Sequence, residues 1–329
     1  MPSWIRGSDT ETCEAAAPAP VAEMANHVEV LPAPLTVRTP GRAGRLLRAT
    51  WLFCRRKPLG AFGGLLVVVM IGTALGANVI APYAYDETIR GQRMKPPSLQ
   101  FLMGTDNLGR DVFSRVVYGA RISVTVGFGA VLLANVLATA VGITSGYFGG
   151  KYDIAVQRIV DAWQSFPFLV VILSIMAVLG PGLLNVILAL GVLGAAGASR
   201  VIRGATLSAA QNQYVEAARA VGAGHIRIMV RYLLPNVAAT IIILATIGLG
   251  GAILAESALS FLGFGVPPPY PSWGAMLSGS GRSFFYTAPW MAIWPGAAIS
   301  LAVFGFNMLG DAMRDVLDPR LRGTGGRVR

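Results

Sequence analysis

Charge, cysteine and histidine are what this chain has little of. Only 13% of its 329 residues are charged, about half the ~25% usual in soluble domains, so an ordinary water-facing surface cannot be assembled from them. Two cysteines, Cys13 and Cys54, are too few for a disulfide framework. The two histidines, His27 and His225, belong to no Cys/His cluster with metal-ligand spacing, and no metal site is expected. The first twenty residues lack the basic stretch and apolar core of a cleavable secretory signal, so the N-terminus is expected to stay in the cytoplasm.

What is there is apolar. The chain is 54% hydrophobic with a mean hydropathy of +0.59, which excludes a disordered chain despite 40 Gly and 20 Pro. Residues 1–45, rich in Ala, Pro and polar side chains without sustained periodicity, are expected to form a disordered cytoplasmic tail.

Six uncharged runs follow. Leu59 to Ile80 is long enough to cross the roughly 30 Å hydrocarbon core as a helix. Ile122 to about Thr144 gives a second span, ended by Gly146, Gly149 and Gly150. Trp163 to Ser199 is too long for one span and is divided by Gly180-Pro181-Gly182, so it predicts a helical hairpin of spans three and four. Leu233 to Ala255 and Trp290 to Gly310 supply the fifth and sixth. Ser257 to Gly281 contains Pro267-Pro268-Pro269-Tyr270-Pro271 and is expected to be a loop or re-entrant segment. The expected fold is an all-α polytopic membrane protein of six transmembrane helices. Its segments are a first helix with an external loop (46–121), a five-helix core (122–310) and a C-terminal tail (311–329).

Basic residues set the orientation. Arg38, Arg42, Arg45, Arg48, Arg55, Arg56 and Lys57 precede the first span with no acid among them, which predicts cytoplasmic N- and C-termini. Seven of the 27 cations then lie outside: Arg90, Arg93, Lys95, Arg110, Arg115, Arg121 and Arg282. In the external loop they are accompanied by Asp86, Glu87, Asp106 and Asp111. Orientation and attraction to anionic membrane lipid account for the +11 net charge without nucleic-acid binding. Gly60/Gly64, Gly72/Gly76 and Gly191/Gly194/Gly197 recur at spacings that permit close helix packing.

The internal loop from Arg200 to Tyr232 is the longest soluble stretch between spans on that side. Leu207, Ala210, Tyr214, Ala217 and Val221 recur every three or four residues, predicting one helix, with Gly222 and Gly224 stopping it. Ile226, Met229, Val230 and Leu233 predict a second short helix, which Pro235 ends or passes to the next span. Two readings fit: a projection that a cytoplasmic protein grips at Ala217 and Ala218, or an amphipathic cap on the bundle. Two readings also fit Thr105-Asp106-Asn107 with Gly109: a capped turn, or part of a functional motif. Glu256 is expected at the membrane interface rather than in a proton relay.

At the internal loop, Glu216-Ala217-Ala218, Gly222 and Leu234-Pro235 resemble the EAA signature of permease subunits of bacterial ABC importers, with Tyr232 a minor departure. Met103-Gly104-Thr105-Asp106, Gly109-Arg110-Asp111 and Ser114-Arg115 resemble the stretch before the second span of the C-type permeases of dipeptide and oligopeptide importers. So do Leu259-Ser260-Phe261-Leu262-Gly263, Pro271-Ser272-Trp273-Gly274 and Asn307-Met308-Leu309-Gly310-Asp311. The resemblance implies a type I ABC importer permease fold in the bacterial cytoplasmic membrane. It also implies coupling of Glu216, Ala217, Ala218, Gly222, Leu234 and Pro235 to ATPases, with Gly104, Thr105, Asp106, Gly109, Arg110 and Asp111 as an external motif. The implied partners are a homologous permease, two ABC ATPase domains that bind ATP and Mg, and an extracytoplasmic peptide-binding protein. The implied cargo is a dipeptide or oligopeptide, with nickel or glutathione as alternatives in the same family. It assigns no substrate-binding residue.

The chain carries no phosphate-binding loop of its own. Ser145-Gly146-Tyr147-Phe148-Gly149-Gly150-Lys151-Tyr152 is only superficially similar to one, with Ser145 for its first Gly and Tyr152 for the Ser/Thr that holds magnesium. No enzyme activity and no cofactor of its own are therefore expected. An ion-coupled secondary transporter would need midplane carboxylates that these runs almost lack. A membrane scaffold remains the other rival.

Overall fold

The computed structural model describes residues 54, 55 and 57–317. The expected N-terminal tail, its arginines and residues 318–329 of the expected C-terminal tail lie outside these residues. Helices α1 (Pro58–Leu75), α2 (Ala77–Ile80), α3 (Val112–Phe148), α4 (Gly150–Gln164), α5 (Phe168–Leu179), α6 (Leu183–Ala210), α7 (Gln213–Ala220), α8 (His225–Ile228), α9 (Leu234–Phe261), α10 (Trp273–Met276) and α11 (Trp290–Leu317) follow in order. Two π-helical turns, Met229–Leu233 and Leu277–Gly281, join α8 to α9 and extend α10.

Five helical runs are long and apolar enough to cross a membrane; a sixth crossing requires α4 and α5 together, which meet at 85°. The hairpin turn at Gly180-Pro181-Gly182 is where the sequence places it, between α5 and α6. The helix before it is shorter than expected. At 12 residues, α5 rises only about 18 Å, well short of the hydrocarbon core. Pro167, which lacks an N–H, separates it from the amphipathic α4, a helix the uncharged-run count does not reveal.

The second span also differs. It begins at Val112, ten residues before the expected Ile122, capped by Asp111, and the two cations on its first turns bond to backbone carbonyls within the protein. The Arg115 guanidinium donates to the Tyr85 carbonyl at 2.9 Å, and Arg121 Nε donates to the Ala74 carbonyl at 3.1 Å. Gly146 does not end this helix; Gly149, at φ +62°, does. The result is a 37-residue rod, roughly 55 Å long.

α3 packs most extensively against α6, while α11 packs against both α1 and α9. The α3–α6 seam is close because Gly142 and Gly146 lie against the opposite backbone: an added Cβ would stand 2.8 Å from the Ser199 carbonyl and 2.9 Å from that of Arg203. Among the glycines singled out by spacing, Gly191 does pack tightly, 2.7 Å from Leu133 by the same measure, whereas Gly72 faces open space. Spacing identifies small residues on one helix face, and the neighbour decides which face closes.

Glu256, expected at the membrane interface, is enclosed by the protein. It is fully buried in α9, accepting a hydrogen bond from Ser260 at 2.7 Å, with Ser257 and Ser123 at 3.4 and 3.5 Å. The segment after α9 folds back against this cluster. Ser272 caps α10, Trp273 Nε1 donates to the Val116 carbonyl at 2.9 Å, and Gly274 lies against the Ser257 backbone.

Candidate functional site

The elbow between α6 and α9 sits at the end of the bundle where α3 finishes. Its first element is not the single helix that the periodicity predicts. α6 continues to Ala210, and a break at Gln211 and Asn212 precedes α7. The Asn212 side-chain amide turns back to donate to the Ala209 carbonyl at 3.0 Å, closing α6 instead of capping α7. The break shifts the helical phase. Val215 and Ala218 point inward, 0% and 4% exposed, into a cluster with Ala209, Ile202, Ile228 and Leu233. Of the expected apolar face, Ala217 and Val221 point out instead, while the Tyr214 hydroxyl turns back to donate to the Ala209 carbonyl at 3.3 Å.

α7 ends in a Schellman motif. Gly222 N–H donates to Arg219 O at 2.9 Å and Ala223 N–H to Ala218 O at 3.0 Å, with Gly222 at φ +79°. A Cβ at Gly222 meets nothing within 4 Å, so the demand for glycine comes from the backbone angle, not from crowding. Glu216, Ala217 and Gly222 are exposed, Ala218 is buried, Leu234 is half-buried and Pro235 is exposed at the start of α9. The expected second short helix merges through the π turn into α9.

Side chains that sequence reasoning did not select fix the elbow to the bundle. Tyr147, on the last turn of α3, shares a 2.9 Å hydrogen bond with His225 Nδ1, and the Arg219 guanidinium lies 5.3 Å from its ring centroid. Asp153 of α4 pairs with Arg203 of α6 and accepts from Ser145, while Asp161 pairs with Arg200. Ser145, read in the sequence against a phosphate loop, is thus helical and bonded to a carboxylate. The only sequence signal for these pairs is the three-residue spacing of Arg200 and Arg203, which does not name their acids.

The motif expected outside the membrane is built differently, at the opposite end of α3 from the elbow. Asp106 Oδ1 accepts from the Leu108 and Arg110 amides at 2.8 and 2.9 Å, and its Oδ2 from Arg110 Nε at 2.6 Å. Asp111 caps α3, accepting from the Ser114 amide at 2.8 Å. Thr105 Oγ1 donates to Gln92 O at 2.5 Å and accepts from Lys95 N–H at 2.8 Å. Gly104 (φ +75°) and Gly109 (φ +81°) have no room for a side chain; a Cβ would stand 2.7 Å from Lys95 O and 2.6 Å from Ile89 O. The six motif residues therefore form one clamp that holds the preceding loop on the helix start.

Residues 138–323 match the family of binding-protein-dependent transport system inner membrane components, and residues 45–97 match the N-terminal transmembrane domain of oligopeptide transport permease C. The dipeptide transport system permease protein DppC of Alkalihalophilus pseudofirmus is 40% identical over 268 residues, covering 82% of this chain and 88% of the relative. The glutathione transport system permease protein GsiD of Escherichia coli is 38% identical over 279 residues, covering 83% and 90%. A solved chain of the MetNI methionine ABC transporter, in an inward-facing conformation, shares the fold with a TM-score of 0.50 at 20% identity, over 62% of this chain and 96% of that one. The family match and these relatives show that the chain belongs to the binding-protein-dependent transport system inner membrane components.

Proposed function

We propose that this chain forms half of the translocation pathway of an ATP-driven peptide importer and that α7 is the element through which ATPase movement reaches the spans. The supporting observation is the outward face of α7. Val221 is 83% exposed and Ile226, just beyond Gly222, is 74% exposed. Glu216 and Ala217 stand beside them on the surface. Val221, at the C-cap of α7, is larger than a solvent-facing turn requires, and the neighbouring Ala217 leaves room for a partner's backbone. Anchored through Val215 and Ala218, the helix has the stiffness to transmit a push.

In this reading the α7 end of the bundle is cytoplasmic, with both termini, and the Gly104–Asp111 clamp is external. ATP and Mg are held by two partner ATPase domains; a homologous permease supplies the other half of the pathway. An extracytoplasmic binding protein delivers short peptides, the class to which the cargoes named for the dipeptide and glutathione relatives belong. Closing of the ATPases moves α7, and α6 and α9, which leave the elbow on either side, tilt with it.

The test is a reconstituted complex in sealed vesicles. Single cysteines at Gln92→Cys and Gln211→Cys should react with an impermeant reagent from opposite faces, and uptake of a labelled dipeptide should require ATP on the Gln211 side. Labelling from one face, or uptake indifferent to ATP, would contradict the reading.

A further inference from the structure

The external loop is more cationic on its surface than its sequence suggests. It has four acids, but Asp106 and Asp111 are 4% and 1% exposed and turned into the α3 clamp. Only Asp86 and Glu87 remain outside. Arg90, Arg93 and Lys95 are all exposed and make no ion pair among the described residues, and they line one groove of 510 Å³ with Gly91 and Leu108. Arrangement on the inside face would satisfy the usual bias of cations in membrane proteins; these three stand at the opposite end from α7.

The groove is a stiff one. Ile89 N–H donates to Gly109 O at 3.1 Å, Met94 N–H to Asp106 O at 3.0 Å and Thr105 N–H to Lys95 O at 3.0 Å, so the segment bearing the cations is bonded along its length to the clamp. The backbone that carries the three charges is therefore ordered before any partner arrives, which lowers the ordering cost of a polar contact. The clamp in turn caps α3, whose far end holds His225 and Arg219 beside α7.

We infer that Arg90, Arg93 and Lys95 form the landing surface for an acidic face of the cargo-delivering binding protein. The inference rests on the proposed orientation, which puts this groove outside. Charge complementarity steers encounter and fixes register more than it adds to final affinity, so the signature is a salt-dependent association. Exposed, unpaired cations at such a rim are the pattern that steering requires.

The experiment measures binding of the cognate, cargo-loaded binding protein to the assembled transporter in nanodiscs. One set is made of phosphatidylcholine alone and another contains phosphatidylglycerol. The triple variant Arg90→Gln/Arg93→Gln/Lys95→Gln should bind about tenfold more weakly at low salt in both lipids, and its affinity should lose most of its dependence on ionic strength. The charge-retaining variant Arg90→Lys/Arg93→Lys/Lys95→Arg should bind as the wild type does, which separates charge from loop damage. Unchanged affinity and salt slope in the neutral variant would overturn the inference, as would a loss confined to discs with phosphatidylglycerol, which would make the groove a lipid contact. Cysteine labelling at Gln92→Cys and Gln211→Cys tests the orientation separately, so a failure of that reading is told apart from a failure of this one.

Discussion

The two ends of α3 carry motifs of opposite design. At the proposed outer end the side chains of Thr105, Asp106 and Asp111 bond to their own loop and helix start, and all three residues are buried. At the proposed inner end Glu216, Ala217 and Val221 are exposed, and Glu216 makes no hydrogen bond or ion pair among the described residues. Among Thr105, Asp106 and Asp111, every polar side-chain atom except Asp111 Oδ1, which is buried without a partner among the described residues, bonds within the loop and helix start, and breaking such a set strands buried groups. A motif whose side chains satisfy nothing within the chain is available to a partner. The comparison fits a stabilising role for the clamp and the proposed coupling role for the elbow.

The largest effect should come from the clamp. Asp106→Ala leaves two amides and the Arg110 side chain without their acceptor in a site where the carboxylate is 6% exposed. A loss of roughly 3–5 kcal/mol is expected, as for other broken buried pairs, with transport falling in step with the folded fraction. Thermal unfolding in nanodiscs measures it. A variant of wild-type stability would move the outer motif out of the structural class.

A smaller loss tests how the elbow is braced. Arg203→Ala removes the partner of Asp153, but Arg203 is 30% exposed, so water screens part of the effect. About 1–3 kcal/mol is expected, below the Asp106 variant. The same unfolding experiment ranks the two, and a reversed order would contradict the burial argument.

Tyr147→Phe is smaller again. It deletes the hydrogen bond to His225 while keeping the ring under Arg219, and about 1 kcal/mol is expected. Hydrogen exchange over residues 213–225 should speed up while that over the outer clamp stays unchanged. Equal acceleration at both ends would mean that the two sites are one cooperative unit.

Much of this contrast is legible in the sequence, and the failures have physical causes. Gly180-Pro181-Gly182 marks the hairpin because that tripeptide has no other common use, and Gly222 marks the end of α7 because the chain must turn through a left-handed angle there. Arg115 and Arg121 hide the first turns of α3, since a charge count does not reveal that the Tyr85 and Ala74 carbonyls await them. The α7 face is misassigned by one residue because a break at Gln211 and Asn212 resets the phase that periodicity assumes to be continuous. Burial of Glu256 depends on three serines, one of them Ser123, which is 133 residues away in sequence.

The elbow itself is tested most directly by Ala217→Trp in the fully assembled complex, reading binding-protein-stimulated ATP hydrolysis beside peptide uptake. Ala217 is exposed in this chain, so its replacement should leave the thermal unfolding temperature unchanged. Uptake and the stimulated part of hydrolysis should fall by about tenfold or more, because a bulky side chain prevents α7 from seating against the ATPase and the two sites lose their coupling. Uptake and stimulated hydrolysis at wild-type levels would contradict the account and make α7 a cap on the bundle.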